Sequence, residues 1–353
     1  MRDLLSTKVN FVICLFGLLG NVLNLVILAQ RGLFKRMSRM EKSANSGLMA
    51  LAVSDMLFCA AVIPGTFVDH SRFSYSSRYD MGLLYELYSN CVINTFIMSS
   101  TWLTVTMAVS RYVAICHPLR ARQVIGATFA GATVLLVFVA CIVCNLPRFW
   151  NDRLESIDCR EGGSQYFPTS GYLKRHKRVG VAYLWSYFVV AVFLPLVALT
   201  FCNLNLINAL RQSAAMRRRY NRAGREGTAA SEPTDRITMT LVIIVVMYVL
   251  LVTPAELCNF VSDIIIRNAS GPGGFNLAVA FSNTLQSINF AVNFVLYCVV
   301  NTHFRRGVYA LLCWPSRAAR GRGAPKSSSA KLQHQPSNLE TPQSVFSEAV
   351  SVM

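Results

Sequence analysis

The chain has 353 residues, 53% of them hydrophobic and only 14% charged, with a formal net charge of +17. An average soluble domain carries roughly 25% charged residues, so an ordinary water-soluble fold is excluded. The apolar residues fall in long blocks split by short polar segments, which is the pattern of a membrane protein and not of a nucleic-acid binder.

Seven such blocks follow in chain order, near 9–30, 44–68, 84–116, 124–147, 179–210, 236–266 and 276–300. Each reaches the ~20 residues a helix needs to cross a bilayer core. The alternation of a transmembrane barrel is absent, as are an internal repeat and paired broken segments of the transporter kind. The expected fold is all-α, a seven-transmembrane helix bundle. Block 1 is too long for a signal-peptide core and holds Asn21 and Asn24, so it is read as a retained helix. Residues 1–8 ahead of it are a short extracellular terminus, and a true start upstream of Met1 stays open.

Lysine and arginine counts orient the bundle. The loops after blocks 1, 3 and 5, with the C-terminal tail, hold 21 Lys and Arg against 12 on the opposite side. The richer side is expected to be cytoplasmic, with the N-terminus outside, and its charge to face anionic lipid. The run KRHKR at 174–178 resists this rule, softened by Asp152, Glu155, Asp158 and Glu161.

Eleven cysteines are scattered, mostly within the blocks. Cys91, near the outer end of block 3, and Cys159, in the second outer loop, are the pair best placed to meet in an oxidising compartment, so a disulfide is expected between them. The Cys141–Cys144 pair lies inside block 4, where small packing residues explain it. Charges inside the blocks are few: Asp55, Arg111 and Glu256. Each costs ~2.5–3.5 kcal/mol at mid-bilayer on insertion scales, so each needs a partner, water or a function. Asp55 with Asn21, Ser100, Asn289 and Asn293 reads equally as a sodium or proton site or as an amide–carboxylate network that holds helices together.

GNVLNLVIL in block 1, LMALAVSD in block 2 and SRYVAICHP ending block 3 stand in order with FLPLVALTFCN, TPAELCNF and NFAVNFVLYCVVNTHFRR. Together they resemble the rhodopsin-like (class A) G-protein-coupled receptors over residues 9 to about 314. Within that family the combination is most similar to invertebrate neuropeptide receptors of the FMRFamide, myosuppressin and sex-peptide kind. The resemblance implies a sodium-binding and activation network of Asn21, Asp55, Ser100, Asn289, Asn293 and the switch residue Tyr297. It gives Arg111, with Tyr112 beside it, contact with a heterotrimeric G protein, and makes Pro195 and Pro254 helix kinks. It places a short amphipathic helix 8 at 301–314 ending near Cys313, a palmitoylation candidate, before a disordered cytoplasmic tail at 315–353.

An outer cavity is expected to take a peptide. Glu256, Asn259, Asn283, Gln286, Asn94, Asp69 and Glu86 are its candidate residues, and Glu256 suits an arginine or an amidated C-terminus. Block 3 lacks the aspartate of an amine receptor, carrying Cys91, Val92, Ile93 and Asn94 there. Asn268 opens a glycosylation sequon, and Ser351–Met353 fit a ligand of PDZ domains. Arrestin, PDZ proteins and membrane lipids complete the expected partners, and no cofactor beyond sodium is expected. The departures from the family pattern are Ser110, Val252, Asn203 and Phe294, a missing block 4 tryptophan, and Cys91, 20 residues before Arg111 where Glu86 holds the family cysteine's usual place. With Ser110 in the acid's place, raised basal activity is expected, Arg111 itself lying near enough to water to snorkel. No HExxH, GxSxG or paired-acid motif marks an enzyme, and the alternative to a receptor is a channel or transporter with Asp55, Arg111 and Glu256 on its ion path.

Overall fold

The computed structural model describes residues 4–30, 39–68, 74–124, 126–158, 163–222, 233–268 and 273–300, with residues 305 and 308. The seven apolar blocks are seven helical spans. Span 1 is Asn10–Leu28, span 2 Arg39–Val62, span 3 Met81–Cys116 and span 4 Ala127–Asn145. Span 5 is Lys177–Phe188 continued by Leu194–Arg222, span 6 Pro233–Asn268 and span 7 Gly273–Val300. Spans 1 to 5 are long and apolar enough, by length and composition, to cross a membrane. Their exposed faces carry large apolar residues such as Leu19, Leu135, Leu136 and Phe201, as lipid-facing helices do.

Boundaries moved where polar residues extend a helix beyond its apolar stretch. The chain is already helical at Leu4, in a π-turn Leu4–Val9 that leads into span 1. Pro118 does not make a turn; it opens a short helix, Pro118–Val124, the position where a missing N–H costs nothing. In span 5 the turn Val189–Phe193 is π-helical and lies just before Pro195. Proline has no N–H to close the helix and its ring crowds the carbonyl four residues back, and the wider turn relieves both.

The all-α expectation missed one hairpin. Between spans 4 and 5, β1 (Asp152–Asp158) pairs antiparallel with β2 (Ser164–Ser170), Asp152 opposite Ser170 and Asp158 opposite Ser164. Tyr75, in the segment between spans 2 and 3, exchanges two backbone hydrogen bonds of 2.8 Å with Tyr166 and ties that segment to β2. Lys174 reaches Asp152 at 2.5 Å and Arg175 reaches Glu155 at 2.9 Å. Two cations of the KRHKR run thus have acid partners in the hairpin.

Gly171 closes the root of the hairpin. A Cβ there would collide with the Trp150 carbonyl oxygen and lie 2.9 Å from the Asn151 carbonyl carbon, both backbone atoms with little room to yield. Gly171→Ala is expected to destabilise the fold by about 1–3 kcal/mol, read as a lower unfolding temperature of the purified protein.

Span 1 lies close to spans 2 and 7 because Gly17 has no side chain: a Cβ would stand 2.8 Å from Cys59 Sγ and 3.0 Å from Ala291 Cα. Below the hairpin end, Cys14, Phe58, Cys59, Ile97 and Phe290 form a buried cluster, with the Phe58 and Phe290 rings 4.0 Å apart. A second cluster, Val105, Ala108, Leu199, Cys202 and Val252, joins spans 3, 5 and 6 lower down.

Candidate functional site

A cavity of about 400 Å³ opens at the hairpin end of the bundle, lined from spans 1, 2, 3, 5, 6 and 7 and by Arg148 just beyond span 4. Span 3 presents Ser89, Asn90, Ile93, Asn94 and Ile97, one stripe at helical spacing. Of the candidate ligand residues, Glu256, Asn259, Asn283, Gln286 and Asn94 line this cavity. Glu256 is 6% exposed, and its Oε1 accepts a hydrogen bond from Gln286 Nε2 at 2.7 Å. Asn259 Nδ2 donates to Asn283 Oδ1 at 3.0 Å, a second link between spans 6 and 7. Tyr187 Oη donates to Asn94 Oδ1 at 3.2 Å, joining span 5 to span 3. Glu86 does not line the cavity; it lies on the same stripe of span 3 one turn nearer the helix start, above the wall. Asp69 lies outside the described residues.

Three residues that matter here were missed. Arg148 lines the cavity at 7% exposure, its guanidinium carbon 4.2 Å from the centre of the Tyr187 ring. Tyr187 and Asp263 line it too. Asp263 had a legible signal, being seven residues after Glu256 and so on the same face two turns on.

One turn beneath Phe58 and Ile97 sits the polar network. Asp55 is 0% exposed and accepts from Ser100 Oγ at 2.7 Å on one carboxylate oxygen and from Asn293 Nδ2 on the other. Asn21 Nδ2 donates to the carbonyls of Gly17 and Phe290, both at 2.9 Å, and Asn24 Nδ2 donates to Asn21 Oδ1 at 3.3 Å. Asn289 is buried one turn before Asn293. Ser100 and Asn293 thus meet Asp55 directly, Asn21 ties span 1 to span 7, and the side chain of Tyr297 is outside the described residues. The donors fit a sodium ion in kind, offering carboxylate, hydroxyl and amide oxygens, although Ser100 and Asn293 already occupy both Asp55 oxygens.

Arg111 lies 11 residues beyond Ser100 on span 3, about 16 Å along the axis. It is 4% exposed rather than snorkelled into water, and its Nη2 has no hydrogen-bond partner. The Ser110 hydroxyl is spent on its own helix, donating to Met107 O at 2.8 Å. Glu41, near the start of span 2, acts on Arg111 electrostatically. Tyr112 packs edge-on against His117 and against Phe201 of span 5, each with ring centres 5.7 Å apart.

The sequence model of the rhodopsin-family seven-transmembrane receptors matches residues 20–297, the stretch that supplies nearly all of the cavity, the Asp55 network and Arg111. The chain belongs to the rhodopsin family of seven-transmembrane receptors. This receptor is 24% identical over 335 residues to the FMRFamide receptor of Drosophila melanogaster, covering 89% of this chain and 56% of the relative. It is 25% identical over 285 residues to the Drosophila sex peptide receptor, covering 75% and 64%, and 27% identical over 321 residues to the B1 bradykinin receptor of Canis lupus familiaris, covering 88% and 83%. It thus spans just over half of the first relative and just under two thirds of the second.

Family membership makes this a multi-pass membrane protein of a receptor family, not a channel, and the family is no enzyme class. Within the receptor Pro254 stands inside span 6, and Val252, in place of the family tryptophan, is 1% exposed in the cluster that joins spans 3, 5 and 6. The expected Cys91–Cys159 bridge is not what the structure shows. Cys91 carries a free, buried thiol that donates to Asn145 O at 3.3 Å. The physical reason is register: about a turn and a half deeper than the usual position, Cys91 faces span 4 and not the loop. Cys159 lies outside the described residues, as do Cys313, the amphipathic helix at 301–314 apart from two of its residues, the tail and the side chain of Asn268.

Proposed function

We propose that this chain is a plasma-membrane receptor whose hairpin end faces outward, takes an amidated peptide with a basic residue, and drives a heterotrimeric G protein at the Arg111 end. The observation that carries the reading is the cavity itself, lined from six of the seven spans and holding the buried carboxylate Glu256, with Asp263 two turns further along span 6. A carboxylate in a partly dry pocket pairs strongly with a guanidinium, since charge-assisted hydrogen bonds are about twice as strong as neutral ones. The relatives named for peptides, FMRFamide, sex peptide and bradykinin, support the same class of ligand. The excess of Lys and Arg on the opposite side, 21 against 12, supports an outward N-terminus.

Signal transfer is read as a population shift between two packings of the bundle. Ligand contacts on spans 6 and 7 bear on the Phe58–Phe290 cluster, then on Asp55, and through span 3 on Arg111. Sodium, held by the Asp55 carboxylate and the Ser100 hydroxyl, would favour the resting packing, so agonist and ion would each weaken the other's binding. Arrestin and PDZ proteins remain partners for the tail, and Asn268 and Cys313 the sites for glycan and lipid.

The test is a screen of an amidated-peptide library against the receptor expressed in cells, with G-protein activation as the readout. Activation by at least one basic amidated peptide is expected, lost in Arg111→Ala and insensitive to sodium in Asp55→Asn at equal surface expression. Ionic current without any G-protein response would overturn the reading.

A further inference from the structure

Arg148 belongs to no part of the coupling network, and it is an unfinished site. It lies just past span 4, is more than nine-tenths buried and lines the cavity. Its Nε has no hydrogen-bond partner, and among the described residues no ion pair ties it to an acid. What holds it is aromatic: the Tyr187 ring at 4.2 Å and the Tyr183 ring at 5.9 Å. Tyr187 is itself fixed by its hydrogen bond to Asn94, and Tyr183 by one to Cys144 O at 3.0 Å. A guanidinium stripped of water and left with an unsatisfied donor is costly unless an acceptor completes it. The two rings flank the guanidinium and leave its Nε without a partner, a donor that a planar acceptor can complete.

We propose that Arg148 is a second anchor for the ligand, donating to the carbonyl oxygen of the peptide's C-terminal carboxyl group while Glu256 takes the peptide's cation. This rests on the peptide reading above and adds the polarity of the bound peptide: C-terminus toward Arg148 and Tyr187, basic side chain toward span 6. The charge balance favours the amidated form of that group. Among the described lining residues Arg148 is the cation, and Glu256 and Asp263 are acids. A neutral oxygen acceptor completes Arg148 without adding a second negative charge to the pocket that holds Glu256, whereas a free carboxylate adds one.

The experiment is a cycle between receptor and probe. The probes are Phe-Met-Arg-Phe-NH2, its free acid, and the analogue ending in a phenethylamide, which lacks the terminal carboxamide altogether. Each is tested for binding to wild-type receptor and to Arg148→Gln, with Arg148→Lys as a charge-conserving variant and surface expression measured throughout. In wild type, removing the carboxamide is expected to weaken binding roughly ten- to a hundredfold, the worth of a hydrogen bond to a charged group. In Arg148→Gln the amide and the phenethylamide should bind within a few-fold of each other, because the coupling is gone. The free acid should be weaker than the amide in wild type and gain on it in Glu256→Gln.

If Arg148→Gln weakens all three probes equally, the residue only positions Tyr187 and the proposal is wrong. If the free acid outbinds the amide in wild type, the terminus is recognised as an anion and the amide assignment is overturned. If wild type binds none of the probes and no peptide of the library, the peptide reading itself has failed, a result distinct from the other two.

Discussion

Asp55→Leu is expected to be the most damaging single change in the bundle. It removes the one acceptor shared by Ser100 Oγ and Asn293 Nδ2, leaving two buried donors with nothing to bond. Each orphan costs about 1–3 kcal/mol, so the gross loss is about 2–6 kcal/mol. Part of this is offset because a buried carboxylate is itself costly to desolvate, which puts the net nearer the lower figure. Asp55→Asn should be much milder in stability, since its amide can still pair on both sides once Asn293 turns over. It nevertheless removes the charge, so sodium sensitivity and signalling should fall while the fold persists. Unfolding temperature in detergent and surface expression check the first claim; sodium titration of agonist binding checks the second. A leucine variant as stable as wild type would show that the network adds nothing to the fold.

The second large effect is expected at the other end of span 3. Ser110→Asp gives Arg111 the neighbouring carboxylate that it lacks, beside an Nη2 that has no partner. A charge-assisted hydrogen bond of about 1.5–3 kcal/mol, made only in the resting packing, would shift the equilibrium roughly ten- to a hundredfold toward rest. Basal G-protein activity should fall accordingly, and Ser110→Asn, uncharged, should lower it far less. Unchanged basal signalling in Ser110→Asp at equal surface expression would mean that Glu41 already supplies the counter-charge from span 2.

The bundle was legible because burial in lipid demands long apolar runs, and seven such runs can hardly be read otherwise. The Asp55 network was legible for the complementary reason: polar residues inside apolar runs stand out. Arg148 did not, because it sits one residue past the block ending at 147 and is counted with the loop charges. Whether a cation at such a boundary points into water or into the bundle depends on the neighbouring spans, here Tyr183 and Tyr187, far away in sequence. The hairpin was hidden for a related reason. DRLESID and SQYFPTS are short, polar and at most half-buried, and only pairing with each other and with Tyr75 makes them strands. Cys91 misled because sequence proximity to the outer end does not say which side of a helix a thiol occupies.

The wide turn at Val189–Phe193 has a practical consequence for anyone reasoning along span 5. It holds one residue more than an α-helical turn, so the two halves of the span are out of phase by about 100°. A helical wheel drawn straight through it would put the wrong residues on a common side. Tyr187, which faces the cavity, and Leu199, packed between spans 3, 5 and 6, belong to two separate wheels. Scanning mutagenesis of this span should therefore be planned as two short ladders with an offset at the turn, and a periodic pattern of sensitive positions should break there.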